Sequence, residues 1–255
     1  MKGRPERGRI ADQIRSELLK QRSTRANLGL SGAMLALVAL AVLLHGYALP
    51  ATALTRRSDQ VSLLVGWGAV LGVVFAGLAG AISITAEVRH GTIRPTLIVT
   101  PRRSVVVAGK AGAAMATGAR FGAAATTLAA ATGCAVLAGR GFPVLLGGSD
   151  YAQLIAGGTA AGALWAMIGL GTGAIVRSQV PTLIGMTAWL LFVEGQLVGN
   201  LPSVGRYLPG ALGQAVSGLD AGRPVSPWAA VALLGVHAAV VAYSSWLATS
   251  RRDFA

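Results

Sequence analysis

Charge is scarce in this chain. Only 12% of its 255 residues are charged, whereas a soluble domain carries roughly 25%, so no separate water-soluble domain is expected. Cysteine is nearly absent. The single Cys134 sits in an apolar run, which excludes a disulfide framework and a CxxC metal site. His45, His90 and His237 lie too far apart in sequence to offer metal-ligand spacing. A nucleotide site is lacking too. Ala108-Gly109-Lys110 echoes the end of a P-loop, but Ser104 stands where its first glycine belongs and Ala111 where its Mg²⁺-binding hydroxyl belongs. No Ser/His/Asp set or carboxylate pair lies in an aqueous segment. The expectation is therefore a non-enzyme, with no catalytic residue, no metal and no directly bound cofactor.

What the chain has instead is apolar length. It is 53% hydrophobic, and a span needs about 20 mostly apolar residues. Candidate spans are Leu28 to Leu49, a stretch within Gln60–Ala86, one within Ala111–Ala138, one within Tyr151–Val176, one beginning near Pro181, and one between Pro227 and Thr249. Ala51-Thr52-Ala53 fits a signal-peptidase site. However, 27 polar or mixed residues precede the first apolar stretch, and its 22 residues exceed a signal peptide's h-region. The fold class is thus an all-α integral membrane protein with six transmembrane helices. A single domain covers 1–255: an arm at 1–27, a bundle at 28–249 and a tail at 250–255.

Positive charge gives an orientation. Of 22 Lys and Arg, sixteen fall on the side of the termini and five on the opposite side, with Arg120 left inside a span. The positive-inside bias then places both termini in the cytoplasm of a cell-membrane protein. It also accounts for the net charge of +13 without nucleic acid as a partner, because the basic residues are scattered over loops. In the arm, Ile10, Ile14 and Leu18 recur every four residues. This predicts an interfacial amphipathic helix, lying flat on membrane lipid with its arginines near anionic headgroups. Near the other end, Asn200 to Ser226 carries Pro202, Pro209 and Pro224 among apolar residues. A short outer helix from about Pro209 to Leu219, before span six, suits that pattern.

The polar insert Glu87–Lys110, EVRHGTIRPTLIVTPRRSVVVAGK, follows 27 uncharged positions. It reads as a basic loop leaving and re-entering the membrane on one side. Gly91 offers a hinge, Thr92 an N-cap, and Pro95 fits the first helical turn. Ile93 and Leu97 share a face with Ile98 beside them, and Thr100-Pro101 stops the helix. Arg102 and Arg103 then meet headgroups. The product is about two turns of helix with an apolar ridge. It suits either a groove on a soluble partner or packing on its own membrane domain.

The run from Glu87 through Ser104, followed by Lys110, resembles the hallmark loop of ABC-2 type transporter permeases. The arm IRSELLKQRSTRANLGL and the segment YLPGALGQAV resemble two further regions of that family. The likeness runs from about Ile14 to Arg252 and is most specific in the Glu87 loop. It implies a cytoplasmic coupling helix between spans two and three, with Glu87, Arg89, Gly91, Thr92, Ile93, Leu97, Ile98, Pro101 and Arg103 in the coupling element. It also implies a separate ATPase subunit that binds ATP and Mg²⁺, and a second permease subunit, identical or not, completing an export path. The cargo is not specified by it.

Two charges fall within predicted spans, and such charges are costly there. Arg120 precedes 19 uncharged residues and can snorkel to the inner interface. Glu194 can sit near the outer end of span five. Alternatively, both line a path, and then an ion-coupled secondary transporter using Arg120 and Glu194 competes with the permease reading. A membrane scaffold or sensor without transport is a third possibility. Five GxxxG pairs, at Gly68–Gly72, Gly118–Gly122, Gly158–Gly162, Gly169–Gly173 and Gly195–Gly199, fit close helix contact, but the 35 glycines make such pairs common by chance.

Overall fold

A computed structural model of the protein describes residues 6–91, 103–219 and 225–250. Among these, every regular element is helical. In chain order they are α1 (Glu6–Ser23), α2 (Arg25–Ala48), α3 (Ala51–Leu54), α4 (Arg57–Arg89), α5 (Arg103–Gly139) and α6 (Gly148–Val176). There follow α7 (Gln179–Ala188), a π-helical turn (Trp189–Val193), α8 (Glu194–Asn200), α9 (Pro202–Gly205), α10 (Pro209–Val216) and α11 (Pro227–Ser250). Six helical segments are long and apolar enough to cross a membrane: α2, α4, α5, α6, the α7–α8 run and α11. They match the six spans expected from the sequence.

The helix stops are local. Pro50 follows α2 and cannot continue it. His90 and Gly91 close α4: Gly91 takes φ +67°, a left-handed conformation that costs glycine little. Arg177 takes the same region at φ 57° and donates its N–H to the Gly173 carbonyl. That turns the chain from α6 straight into α7.

At the centre of the bundle stand α4, α5 and α6, which bury about half of their apolar windows. Glycine makes this possible. A Cβ on Gly80 would strike the Ala166 carbonyl, and one on Gly169 the Gly77 carbonyl, so α4 and α6 meet backbone to backbone. Gly118 and Gly122 of α5 interlock in the same way with Gly158 and Gly162 of α6. Gly68 and Gly72 receive Ala125 and Ala129 of α5. In a membrane, where lipid tails are as apolar as leucine, such close approach is a main source of association. Four of the five GxxxG pairs are therefore used inside the chain. The fifth, Gly195–Gly199, faces open space. By contrast α2, the α7–α8 run and α11 bury only 17% of their windows and turn Leu44, Phe192 and Trp228 outward, as lipid-facing helices do.

Away from the Glu87 loop, at the far end of the bundle, polar side chains stitch the turns. Gln60, fully buried, donates to the Leu54 and Pro143 carbonyls at 2.8 and 2.9 Å and accepts the Leu145 N–H at 2.9 Å. Arg140 caps the end of α2, donating to the Gly46 and Leu49 carbonyls at 2.6 and 2.8 Å. Arg57 pairs with Asp150 at 2.7 Å.

Candidate functional site

At about 1.5 Å per residue, α4 and α5 are roughly 50 and 55 Å long, against a hydrocarbon core of ~30 Å. Both helices exceed that thickness, and the Glu87–Lys110 loop follows the last turn of α4 and runs into the first turns of α5. There α1 stands alongside the first turns of α5 rather than lying apart from the bundle. Gln13 packs on Gly109 and Ile14 on Gly112, where a Cβ would come within 2.7 Å of the Ile14 side chain. Further along, Thr117 donates to the Gln21 side-chain carbonyl. The apolar stripe at Ile10, Ile14 and Leu18 is only half-buried. The face that docks centres on Gln13, Glu17 and Gln21, spaced four apart like the stripe beside it.

This docking assembles an ion cluster. Lys110 Nζ sits between Glu87 Oε1 at 2.6 Å and Glu17 Oε2 at 3.1 Å. Lys20 Nζ lies 2.9 Å from Glu17 Oε1 and 3.7 Å from Glu87 Oε1. Gln13 donates to Glu17 at 3.2 Å. Glu17 is 3% exposed and Lys110 6%, so both charges are removed from water and depend on each other. Two carboxylates and two ammoniums leave the group neutral. Burial would push the Glu17 carboxyl up, but the Lys110 and Lys20 ammoniums outweigh it and hold the group below the usual carboxylate range. Burial would likewise lower Lys20, and its bond to Glu17 raises it above the usual lysine range instead. The cluster joins α1 to both helices that bracket the loop. Of the residues expected in the coupling element, Glu87 is in this cluster, Arg89 is exposed at the last position of α4, and Gly91 makes the turn. Thr92, Ile93, Leu97, Ile98 and Pro101 lie outside the described residues, and Arg103 is described only as the first residue of α5. Sequence reasoning missed Glu17 and Lys20 as site residues. Their signal was an acidic residue with glutamine four positions away on either side.

A second polar focus lies within the bundle. Glu194 is 3% exposed. Its Oε1 accepts the Ala211 N–H at 2.7 Å, and its Oε2 accepts Trp189 Nε1–H at 3.1 Å. The π turn makes the second bond possible: Glu194 N–H reaches back five residues to the Trp189 carbonyl, bringing both side chains onto one face. The segment after span five folds back, so α10 re-enters the bundle with its first turn against this carboxylate. A Cβ on Gly210 would meet Glu194 at 2.9 Å. Glu194 shares a cleft with Val70 and Val74 of α4. Val70 lies 13 residues beyond Arg57, or about 20 Å along the helix. Glu194 is thus buried among helices of the bundle, six residues before Asn200, where the α7–α8 run ends. Arg120 is exposed on α5; among the described residues no ion pair joins it to Glu194. Beside α10, Trp165 Nε1 is buried against Gly213 with no acceptor among the described residues. No group of three metal-ligating side chains occurs among the described residues. No family model matches this chain, and no curated protein does either.

Proposed function

We propose that the protein is the membrane subunit of an ATP-driven exporter of the ABC-2 type, coupled to a separate ATPase subunit and paired with a second permease subunit. The observation that carries this reading is the Glu17–Lys110–Glu87 cluster. It fastens the bases of the polar loop to each other and to α1, so a push on the loop is transmitted to α4, α5 and, through α1, to α2. A loop that merely closed a turn would have no use for a buried, three-helix ionic joint at its root. The unbroken length of α4 and α5 suits the same task, because continuous helices carry displacement into the glycine-packed centre of the bundle. In this reading the loop's Ile93, Leu97 and Ile98 ridge seats in a groove of the ATPase, with both termini and the loop in the cytoplasm. ATP and Mg²⁺ belong to that partner.

The test is co-purification. Expressed in its native host, the tagged chain should retain a P-loop ATPase subunit through detergent extraction, and Leu97→Asp should release it while insertion stays normal. Retention of the ATPase by Leu97→Asp would remove the loop from the interface.

A further inference from the structure

Arg120 is exposed within the α5 span, and the permease reading gives it no role. A charge facing hydrocarbon is costly and persists where an opposite charge or water meets it. Among the described residues no carboxylate or other acceptor does so. The packing fixes its depth. Arg140, twenty residues on along α5, caps the far end of α2. Twenty residues of helix measure about 30 Å, the thickness of the hydrocarbon core. With Arg140 at one edge of that core, Arg120 stands at the other, on the side of the Glu87 loop. It also stands where α1 gives out. It lies eleven residues, about three turns, beyond Gly109, and so on the face of α5 that α1 covers through Gly109 and Gly112. Gln21, which meets Thr117, is in the last turn of α1, and Arg120 is one turn past Thr117. The guanidinium therefore emerges at the elbow where α1 gives way to α2 at Thr24.

Beyond the elbow this face of α5 stays open. Ala124, Thr127, Ala131 and Ala135 follow Arg120 along it, all exposed. On one flank α2 packs, with Gly46 against Val136. On the other stands α6, where Cys134 Sγ lies 3.1 Å from the Tyr151 hydroxyl. Small side chains between two flanking helices leave a shallow groove. From Arg120 to Ala131 it runs about 16 Å, half of a ~30 Å core and hence the depth of one leaflet.

We propose that this groove seats one anionic phospholipid, its phosphate on the Arg120 guanidinium and an acyl chain along Ala124, Thr127 and Ala131. Charge complementarity selects the occupant. A guanidinium presents a planar fork of donors that matches phosphate. An anionic headgroup neutralises the arginine, whereas a choline or ethanolamine headgroup brings a cation of its own. Arg25, exposed at the first residue of α2, adds a second positive charge at the same elbow. The inference needs only the membrane spans and does not rest on the permease reading.

Native mass spectrometry of the full chain in mild detergent, titrated with phosphatidylglycerol or phosphatidylcholine of matched acyl chains, reads the first lipid bound. The first phosphatidylglycerol should bind about ten-fold more tightly than the first phosphatidylcholine, the effect of roughly one to two basic residues facing an anionic headgroup. Arg120→Gln should bring that preference to within about two-fold, and Arg120→Lys, a point charge without the fork, should fall between. Arg56→Gln removes the same unit of charge at an exposed site on the opposite end of the bundle and should keep the wild-type preference. Ala124→Trp fills the groove, leaves Arg120 in place, and should weaken phosphatidylglycerol as much as Arg120→Gln does. Thermal melts report that each variant is folded. The inference is overturned if wild type binds the two lipids equally, if folded Arg120→Gln or folded Ala124→Trp binds phosphatidylglycerol like wild type, or if Arg56→Gln loses the preference as Arg120→Gln does. ATPase co-purification is scored separately. A retained ATPase with no lipid preference removes only this inference, and a lipid preference without ATPase association removes only the permease reading.

Discussion

Lys110→Met is the sharpest perturbation of the ion cluster. Methionine keeps the length and apolar stem of lysine and deletes its charge. Glu17 and Glu87 then face each other with only Lys20, 46% exposed, as counter-charge. Removing one partner of a buried pair costs about 3–5 kcal/mol, because the survivor stays buried and charged. Glu17 meets that condition at 3% exposure, whereas Glu87 at 13% is partly wet, so the low end, about 3 kcal/mol, is expected. Since ~1.4 kcal/mol is a factor of ten, amide exchange of α1 should accelerate on the order of 100-fold. The control removes three of the four charges and leaves only Lys20, which is 46% exposed: Glu17→Leu, Lys110→Met and Glu87→Leu together should come within about 1 kcal/mol of wild type, as apolar replacement of a buried ionic group often does. Hydrogen exchange of the chain in nanodiscs reads both. If α1 exchange in Lys110→Met equals that of wild type, the cluster does not hold α1 and the reasoning fails.

Three further outcomes follow from the same structure. Glu17 titrates below its ordinary 4.5 when folded, so its contribution is complete above that pH and disappears as pH falls through the lowered value. Lys20 titrates above its ordinary 10.5, so its contribution is complete below 10.5 and disappears as pH rises through the raised value. Protection of α1 should accordingly be flat between these limits and fall outside both; a slope near neutrality would contradict the assignment. Gly169→Val forces a side chain onto the Gly77 carbonyl and should destabilise the bundle by about 1–3 kcal/mol, whereas Gly195→Val, in open space, should change the melt by less than ~0.5 kcal/mol. For orientation, a cysteine at Ser104 should resist an impermeant thiol reagent in intact cells and one at Ser58 should react, both positions being exposed; labelling at Ser104 would invert the topology.

The spans were legible because apolar length is a one-dimensional signal: 27 uncharged positions ending at Glu87 leave no other fold for α4. The helix at Pro209 was legible for a similar reason, a proline start followed by an apolar run. Its depth was not, since nothing local says that a punctuated loop will turn back into the bundle. Gln13, Glu17 and Gln21 carry no sign in the sequence of a docking face, because polarity on a helix beside an apolar stripe is ordinarily outward. Only the partner, Lys110, more than ninety residues away, makes that face the buried one. The glycine pairs were visible, but which of them meet depends on helix register and crossing, and those are set in three dimensions. Glu194 was recognisable as costly at any membrane depth; the π turn that pairs it with Trp189 left no sequence mark.

The central claim is that the Glu87–Lys110 loop is where an ATPase takes hold. The most direct measurement is site-specific photocrosslinking at Leu97 in membranes containing the chain and the ATPase subunit proposed as its partner. The account predicts a crosslink to the ATPase that is lost when that subunit is omitted and altered in yield by ATP. A crosslink only within the chain itself, with the ATPase present and folded, would contradict it.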